Sequence, residues 1–267
     1  MKRALTAVLA IGLGAAVFAG CDELGGLRVP TAGTACQLSK DQEATLFAPF
    51  AKLPVKLFID PGFDSSRKRD IRRAAEQWNR FSQFSLHAKF FELAGEYSVA
   101  KIDQYYGGRD FCGEPVKDDG VYVLAGATLE RWARLGYSNV TAGVTSRCVS
   151  SDRFFTTPIE HPHVAVYLND AEVGDDLFFG VALHELGHAL GLDHTCARNG
   201  GSYGMPACSE LPPTHPYMKA VMRGDNDYRS ITINHGKSSY SYIVGTAMEH
   251  LEQNDLDRAY CLYGRRQ

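Results

Sequence analysis

The sequence predicts an α+β fold in which two long helices pack on one face of a mixed, twisted sheet. Short segments have the alternating or apolar pattern of strands, and longer ones have helical periodicity. The order is strand, helix, strands, helix, irregular region, helix, without the strict alternation of a parallel α/β protein. With 267 residues, 45% of them hydrophobic, the chain can bury a sizeable core.

The first half contains a helix between predicted strands. The strand at 55–60 ends at Pro61-Gly62, a turn sequence. Residues 64–84 predict a helix because apolar side chains recur on one face, among them Ile71, Trp78 and Phe81. The four further predicted strands span 84–90, 120–127, 141–148 and 163–170.

The second half begins with an apolar helix. Asp175 and Asp176 suit its N-terminus, and the apolar run continues to residue 190. After residue 194 the chain is rich in Gly and Pro and has little periodicity, which predicts an irregular region. A last helix is predicted at 248–264, with Gly264 as its stop.

The N-terminus has the pattern of an export sequence. Two basic residues precede an uncharged apolar run of 17 residues, so residues 1–20 predict a signal peptide. A transmembrane anchor is the alternative, although the run is short for spanning. The stretch "FAGC" resembles a bacterial lipobox, which would make Cys21 a lipid anchor to a periplasmic or cell-surface membrane; plain secretion is the other outcome. Residues 21–52 then form a tether and lead-in, and 53–267 the main domain.

The number of cysteines and the net charge bear on where the protein is located and on what it binds. Six cysteines remain besides Cys21, an even number that suggests disulfides in an exported chain. They are Cys36, Cys112, Cys148, Cys196, Cys208 and Cys261. Cys196–Cys208 is the expected pair because the two bracket a Gly-rich loop; buried free thiols are the alternative. A net charge of −3 gives no reason to expect nucleic acid as a partner.

The segment "HELGHALGLDH", residues 184–194, carries the chemistry. His184 and His188 lie four apart, so a helix turns both imidazoles to one face. His194 would point away on a continuous helix. Gly191 permits a turn there at little steric cost, and the turn would bring the third imidazole back.

Three imidazoles suit one catalytic Zn²⁺ with an open position for water. Glu185 points about 100° away from His184 around the helix, where a general base for that water should lie. The pattern therefore predicts peptide hydrolysis without a covalent intermediate. The alternatives are an amphipathic core helix that happens to carry histidines, and a structural zinc site closed by a fourth ligand.

With these residues in hand, the chain resembles the metzincin zinc endopeptidases, and within them the matrixins. All five fixed positions of their HExxHxxGxxH motif are present. The segments "RRAAEQWNRFS" and "LEQNDLDRAYCLYG" are similar to the first and last matrixin helices. The resemblance covers residues from about 55 to 264. It implies a metzincin-like zincin fold in which a flat cleft separates a larger N-terminal lobe from a small irregular C-terminal lobe, with the lobe break near residue 194.

The resemblance also implies supporting residues. A methionine should lie in a tight turn beneath the zinc, and "KAVMRG" favours Met222 over Met205, Met218 and Met248. Asp255 matches a carboxylate that supports this turn in relatives; a solvated helix charge is its alternative. Residues 141–148 would form the edge strand that pairs with an extended peptide substrate, unless they form a central strand.

Some features depart from the family or fit it loosely. The loop between His194 and Met222 is long, and no cysteine-bearing latency peptide is present. An acidic cluster precedes the second helix, for which a Ca²⁺ site and helix capping are both open interpretations. Its residues are Asp170, Glu172, Asp175 and Asp176. The expected protein is a monomeric, exported zinc endopeptidase; a zinc-binding adhesion or binding lipoprotein without protease activity is the alternative.

Overall fold

The computed structural model describes most of the chain. The described residues are 27–30, 35–97, 118–126, 132–133, 136, 141–148, 158–198, 200, 204–224, 229–235, 238–244 and 248–264. The predicted signal peptide and Cys21 lie outside them. Within the described part, none of the helices has both the length and the apolar character needed to cross a membrane.

The centre of the fold is a five-stranded mixed sheet. Its strands are β1 (Val55–Ile59), β2 (Phe91–Glu96), β3 (Gly120–Ala125), β4 (Gly143–Arg147) and β5 (His163–Leu168). They lie side by side in the order β2-β1-β3-β5-β4, with β4 antiparallel to β5 and the other neighbours parallel. The predicted α+β class is therefore confirmed, and among the described strands β4 lies at the edge of the sheet.

Two long helices cover one face of this sheet. After a short helix α1 (Lys40–Glu43) come α2 (Ser65–Leu86) and α3 (Asp175–Leu190). Strand residues alternate between faces. Leu57, Val121 and Val166 share the main core with both helices, whereas Tyr122 and Tyr167 belong to a second apolar cluster.

The strand predicted at 84–90 is wrong. Helix α2 continues to Leu86, because Phe81 and Leu86 remain on its buried face. The helix ends where His87 adopts a left-handed conformation with φ 52°. The second strand begins only at Phe91. A short run of alternating apolar residues at a helix end fits the two-residue period of a strand and the 3.6-residue period of a helix. Burial of the helical face decides between the two.

The C-terminal part is more regular than the sequence suggests. A 3₁₀ turn (Cys208–Glu210) and a short helix α4 (Pro216–Lys219) follow the third histidine. An antiparallel hairpin of β6 (Arg229–His235) and β7 (Ser238–Val244) then precedes the last helix, α5 (Gln253–Tyr263). The hairpin was not expected, and α5 begins five residues later than predicted, at 253 instead of 248.

The lead-in between residues 35 and 51 packs against the rest of the chain. Leu46 and Phe50 are buried in the main core. The Phe47 amide donates to the Gly191 carbonyl at 2.8 Å, and the Ala51 amide donates to the Ile159 carbonyl at 2.9 Å. These contacts place the lead-in beside the C-terminal end of α3.

Disulfides fasten the lead-in and the loop after α3. Cys36 is bonded to Cys261 in α5, and Cys196 is bonded to Cys208. The expected Cys196–Cys208 pair is thus confirmed. Disulfides of this kind persist in oxidising compartments, which agrees with an extracellular protein.

Trp78 joins the two long helices. Its side chain is fully buried, and its indole Nε1 donates to the Leu183 carbonyl of α3 at 3.0 Å. Trp78→Ala should therefore lower the free energy of unfolding by about 3–5 kcal/mol, measured by urea denaturation. Phe84 on the same helix is 56% exposed, so Phe84→Ala should cost less than about 1 kcal/mol. Equal losses in the two variants would contradict this role of Trp78.

Candidate metal centre

His184 and His188 lie one turn apart on α3, and each is oriented by a backbone carbonyl. His184 Nδ1 is 2.6 Å from the Val221 carbonyl oxygen, and His188 Nδ1 is 2.6 Å from that of Leu192. Because a carbonyl oxygen only accepts, both Nδ1 atoms carry the proton. The two Nε2 atoms therefore keep their lone pairs for a metal ion.

The turn at Gly191 brings in the third histidine. Helix α3 ends there with φ 102°, a left-handed conformation that favours glycine. The chain folds back, the Leu192 amide donates to the Gly187 carbonyl at 3.1 Å, and His194 faces the helix. His194 Nε2 lies 3.2 Å from His184 Nε2 and 3.1 Å from His188 Nε2.

This donor set fits zinc. Tetrahedral bonds of 2.0–2.1 Å imply nitrogen–nitrogen separations of about 3.3–3.4 Å, close to the spacing found. Burial lowers the pKa of His184 to about 3 and also lowers the pKa values of His188 and His194. All three imidazoles are therefore neutral at physiological pH, as metal ligation requires. Within the described part of the chain, they form the one cluster of three or more potential ligands.

Glu185 lies beside this cluster and outside the ligand set. Its carboxyl group is buried, and Thr145 Oγ1 on β4 donates to its Oε2 at 2.7 Å. Burial raises the pKa of Glu185 to about 7, although the Thr145 hydrogen bond acts in the opposite direction. A carboxyl group with this pKa can take up and release a proton near neutral pH.

Met222 lies in the segment that orients His184. Its side chain is fully buried against α3, so close to Gly187 that a Cβ there would lie 2.3 Å from the Met222 sulfur. The Met222 carbonyl accepts a 2.8 Å hydrogen bond from the Thr195 amide. The methionine chosen from sequence is therefore next to the histidines, and Gly187 is an unpredicted requirement for this packing.

Asp255 connects the last helix to that segment. Its Oδ2 accepts from the Val221 amide at 2.9 Å and from the Glu252 amide at 3.0 Å, and its Oδ1 accepts from the Met222 amide at 3.1 Å. Burial raises the pKa of this carboxyl group, whereas the three amides and Arg258 favour its charged form. The geometry agrees with support of the turn and not with a solvated charge.

Arg258 is a supporting residue that the sequence analysis missed. It is fully buried, and its Nη2 donates to the Asp193 carbonyl at 2.7 Å and to Thr45 Oγ1 at 2.7 Å. Asp193 Oδ1 in turn accepts from the His194 amide at 2.8 Å. Arg258 thereby ties the turn before the third histidine to the lead-in. No sequence pattern distinguishes this arginine from a solvated one.

The acidic residues before α3 do not converge. Among the residues that the structure describes, Asp170, Glu172, Asp175 and Asp176 form no cluster with the spacing of metal ligands. Asp175 instead pairs with Arg67 at 3.0 Å. The calcium interpretation therefore gains no support here.

The chain has a weak likeness to a solved structure. No known family model and no curated protein matches this chain. Among solved structures it is similar to high choriolytic enzyme 1, a hatching enzyme zinc-protease from the medaka fish Oryzias latipes. The likeness covers 86% of this chain and 98% of that protein, with 12% identity and a TM-score of 0.36. A likeness this weak does not establish a shared activity.

Replacing Gly191 tests the turn. A side chain there meets an unfavourable φ, and its Cβ would lie 3.2 Å from Arg147 Nη1. Gly191→Ala should lower zinc affinity at least about tenfold and unfolding free energy by about 1–2 kcal/mol, measured by chelator competition and denaturation. Gly95→Ala is the control, since its φ is 119° but no atom lies within 4 Å. Unchanged zinc affinity in Gly191→Ala would contradict the proposed turn.

Replacing Asp255 tests the support from α5. In Asp255→Asn, an NH₂ group replaces one of the two carboxylate oxygens. Its hydrogens would point at a backbone N–H group that now donates to that oxygen. We expect a loss of about 2–3 kcal/mol of unfolding free energy, measured by denaturation. Asp257→Asn on the same helix is the control, because among the described residues Asp257 accepts a hydrogen bond only from the Gln253 side chain, at 2.8 Å. A loss no larger than in this control would rule out the support role.

Proposed function

We propose that this protein is an exported zinc-dependent endopeptidase. The observation that carries the proposal is the convergence of three neutral imidazole Nε2 atoms next to a buried carboxyl group, all beside an edge strand. A site built only to hold a structural ion needs no buried carboxyl group beside its ligands.

The residues divide the chemistry between them. His184, His188 and His194 would hold the zinc ion, which when bound supplies Lewis acidity that activates water and polarises the peptide carbonyl. Glu185 would accept the proton of the attacking water and pass it to the leaving amine. The hydrogen bonds from Nδ1 to Val221 and Leu192 keep two imidazoles aimed inward throughout.

The edge of the sheet suits an extended peptide. The hydrogen bonds at the two ends of β4, from Asn169 N to Ala142 O and from Cys148 N to His163 O, are both 2.9 Å long. Bonded pairs alternate along an antiparallel ladder. Between these ends, odd-numbered residues therefore direct their peptide groups away from β5. A substrate strand could pair with those groups by β-augmentation. Two of these odd-numbered residues, Gly143 and Thr145, lie next to the Glu185 side chain.

Location and family remain part of the proposal. The disulfides favour an oxidising compartment. We propose export through the predicted signal peptide and lipid anchoring at Cys21, both suggested by sequence alone. The matrixin-like order of histidine motif, Met222 and Asp255 supports placing the chain near that family, and we expect it to act as a monomer.

Replacement of Glu185 tests the proposed function. Purified protein should cleave a proteome-derived peptide library, and a chelator should abolish cleavage. Glu185→Gln should retain zinc by elemental analysis but lose at least about 100-fold in kcat, because the general base is gone. Glu76→Gln on the exposed face of α2 is the matched control and should keep full activity.

Two outcomes would overturn this function. Full turnover by Glu185→Gln would exclude the proposed base. Absence of cleavage by the zinc-loaded wild type, together with a fourth protein ligand on the ion, would favour the zinc-binding lipoprotein without protease activity.

A further inference from the structure

One side chain connects the edge strand to the proposed base. Thr145 lies in the middle of β4, and its Oγ1 is 2.7 Å from Glu185 Oε2 and 3.0 Å from the Glu185 carbonyl oxygen. A hydroxyl group has a single proton to donate. The shorter distance and the carboxylate charge both favour Oε2 as the acceptor.

Gly143 completes the enclosure of the carboxyl group. Gly143 and Thr145 lie two residues apart on β4, so they face α3 together. A Cβ at residue 143 would lie 2.7 Å from Glu185 Cγ and 2.8 Å from Oε1. The carboxyl group therefore occupies the space left by the missing side chain, with Oε2 fixed by Thr145. Among the described residues, Oε1 has no hydrogen-bond partner and stays available for a proton transfer.

The backbone of Thr145 is placed to pair with the proposed peptide substrate. Its peptide groups point away from β5, to the side where the proposed substrate strand would pair. The same residue thus contacts the base through its side chain and would contact the peptide through its main chain. Substrate and base then keep a fixed separation, set by the covalent geometry of one residue.

We propose that Thr145 is a positioning residue that aligns Glu185 with a peptide paired to β4. The inference rests on the proposed function. Without the hydroxyl group, the carboxyl group keeps its buried place but gains freedom to rotate about its last side-chain bonds. The productive orientation is then populated less often, while substrate pairing with the backbone is unaffected.

Two substitutions separate the hydroxyl group from the shape of the side chain. Thr145→Val keeps the volume and β-branching and removes the donor, whereas Thr145→Ser keeps the donor and removes a methyl group. We expect Thr145→Val to lower kcat roughly ten- to hundredfold with KM changed less than about threefold. Thr145→Ser should recover most of the loss, and zinc content should match the wild type in both variants.

A spectroscopic measurement tests the contact without activity. In zinc-free protein labelled with ¹³C at glutamate carboxyl groups, the Glu185 signal is assigned as the one lost in Glu185→Gln. Its chemical shift should change in Thr145→Val and stay near the wild-type value in Thr145→Ser.

The outcomes distinguish this inference from the proposed function. An active wild type together with wild-type kcat in Thr145→Val would overturn the role of Thr145 and leave the peptidase function intact. Equal losses in Thr145→Val and Thr145→Ser, or loss of zinc or of folding in both, would also overturn it, because the hydroxyl group would not be the cause. A wild type that cleaves no peptide refutes the function itself, and the carboxyl signal still decides whether the contact exists.

Discussion

The candidate metal centre depends on one residue with a left-handed backbone conformation at the end of a helix. Gly191, with φ 102°, ends α3 and reverses the chain, so that His194 meets the two histidines of the preceding turns. The same reversal exposes the Leu192 carbonyl to His188 Nδ1. A continuous helix would supply neither the third ligand nor this acceptor, because residue 194 would lie on another face. Ligand and orienting carbonyl therefore come from the same turn.

This turn is stabilised by parts of the chain that lie far away in sequence. The lead-in accepts and donates backbone hydrogen bonds at Gly191 and Asp193, and α5 contributes the Arg258 guanidinium. Burial lowers the pKa of Arg258 to about 10, so the arginine still carries its charge at neutral pH. Buried charges are costly unless they are paired. Arg258 meets it only in part: Nη2 donates to carbonyl and hydroxyl oxygens and the charges of Asp255 and Asp193 favour the cation, whereas Nε and Nη1 have no hydrogen-bond partner among the described residues.

The sequence predicted those features of the site that depend on residues close together in the chain. The spacing of His184 and His188 and the glycine before His194 are properties of a few neighbouring residues, and the structure brings these imidazoles together. Thr145 and Arg258 could not be found this way, because their partners lie 40 and 213 residues away. The β6–β7 hairpin did leave a pattern: Ile231 and Ile233 pair with two tyrosines across a Gly-Lys dipeptide. The many polar residues in these two segments made the alternating apolar residues difficult to recognise as strands.

Burial shifts the pKa values of Glu185 and of the three histidines in opposite directions, and both shifts suit the proposed catalysis. Low polarity disfavours the charged form of any group, so it keeps imidazoles neutral and raises the pKa of a carboxyl group. Neutral imidazoles can bind a cation, and a carboxyl group with a pKa near 7 can exchange protons with water. In a polar site with ordinary pKa values, the histidines would protonate and compete with zinc once the pH fell below about 6.5, and the glutamate, with a pKa of about 4.3, would be a weaker base. The apolar packing around α3 is therefore part of the chemistry as well as of the fold.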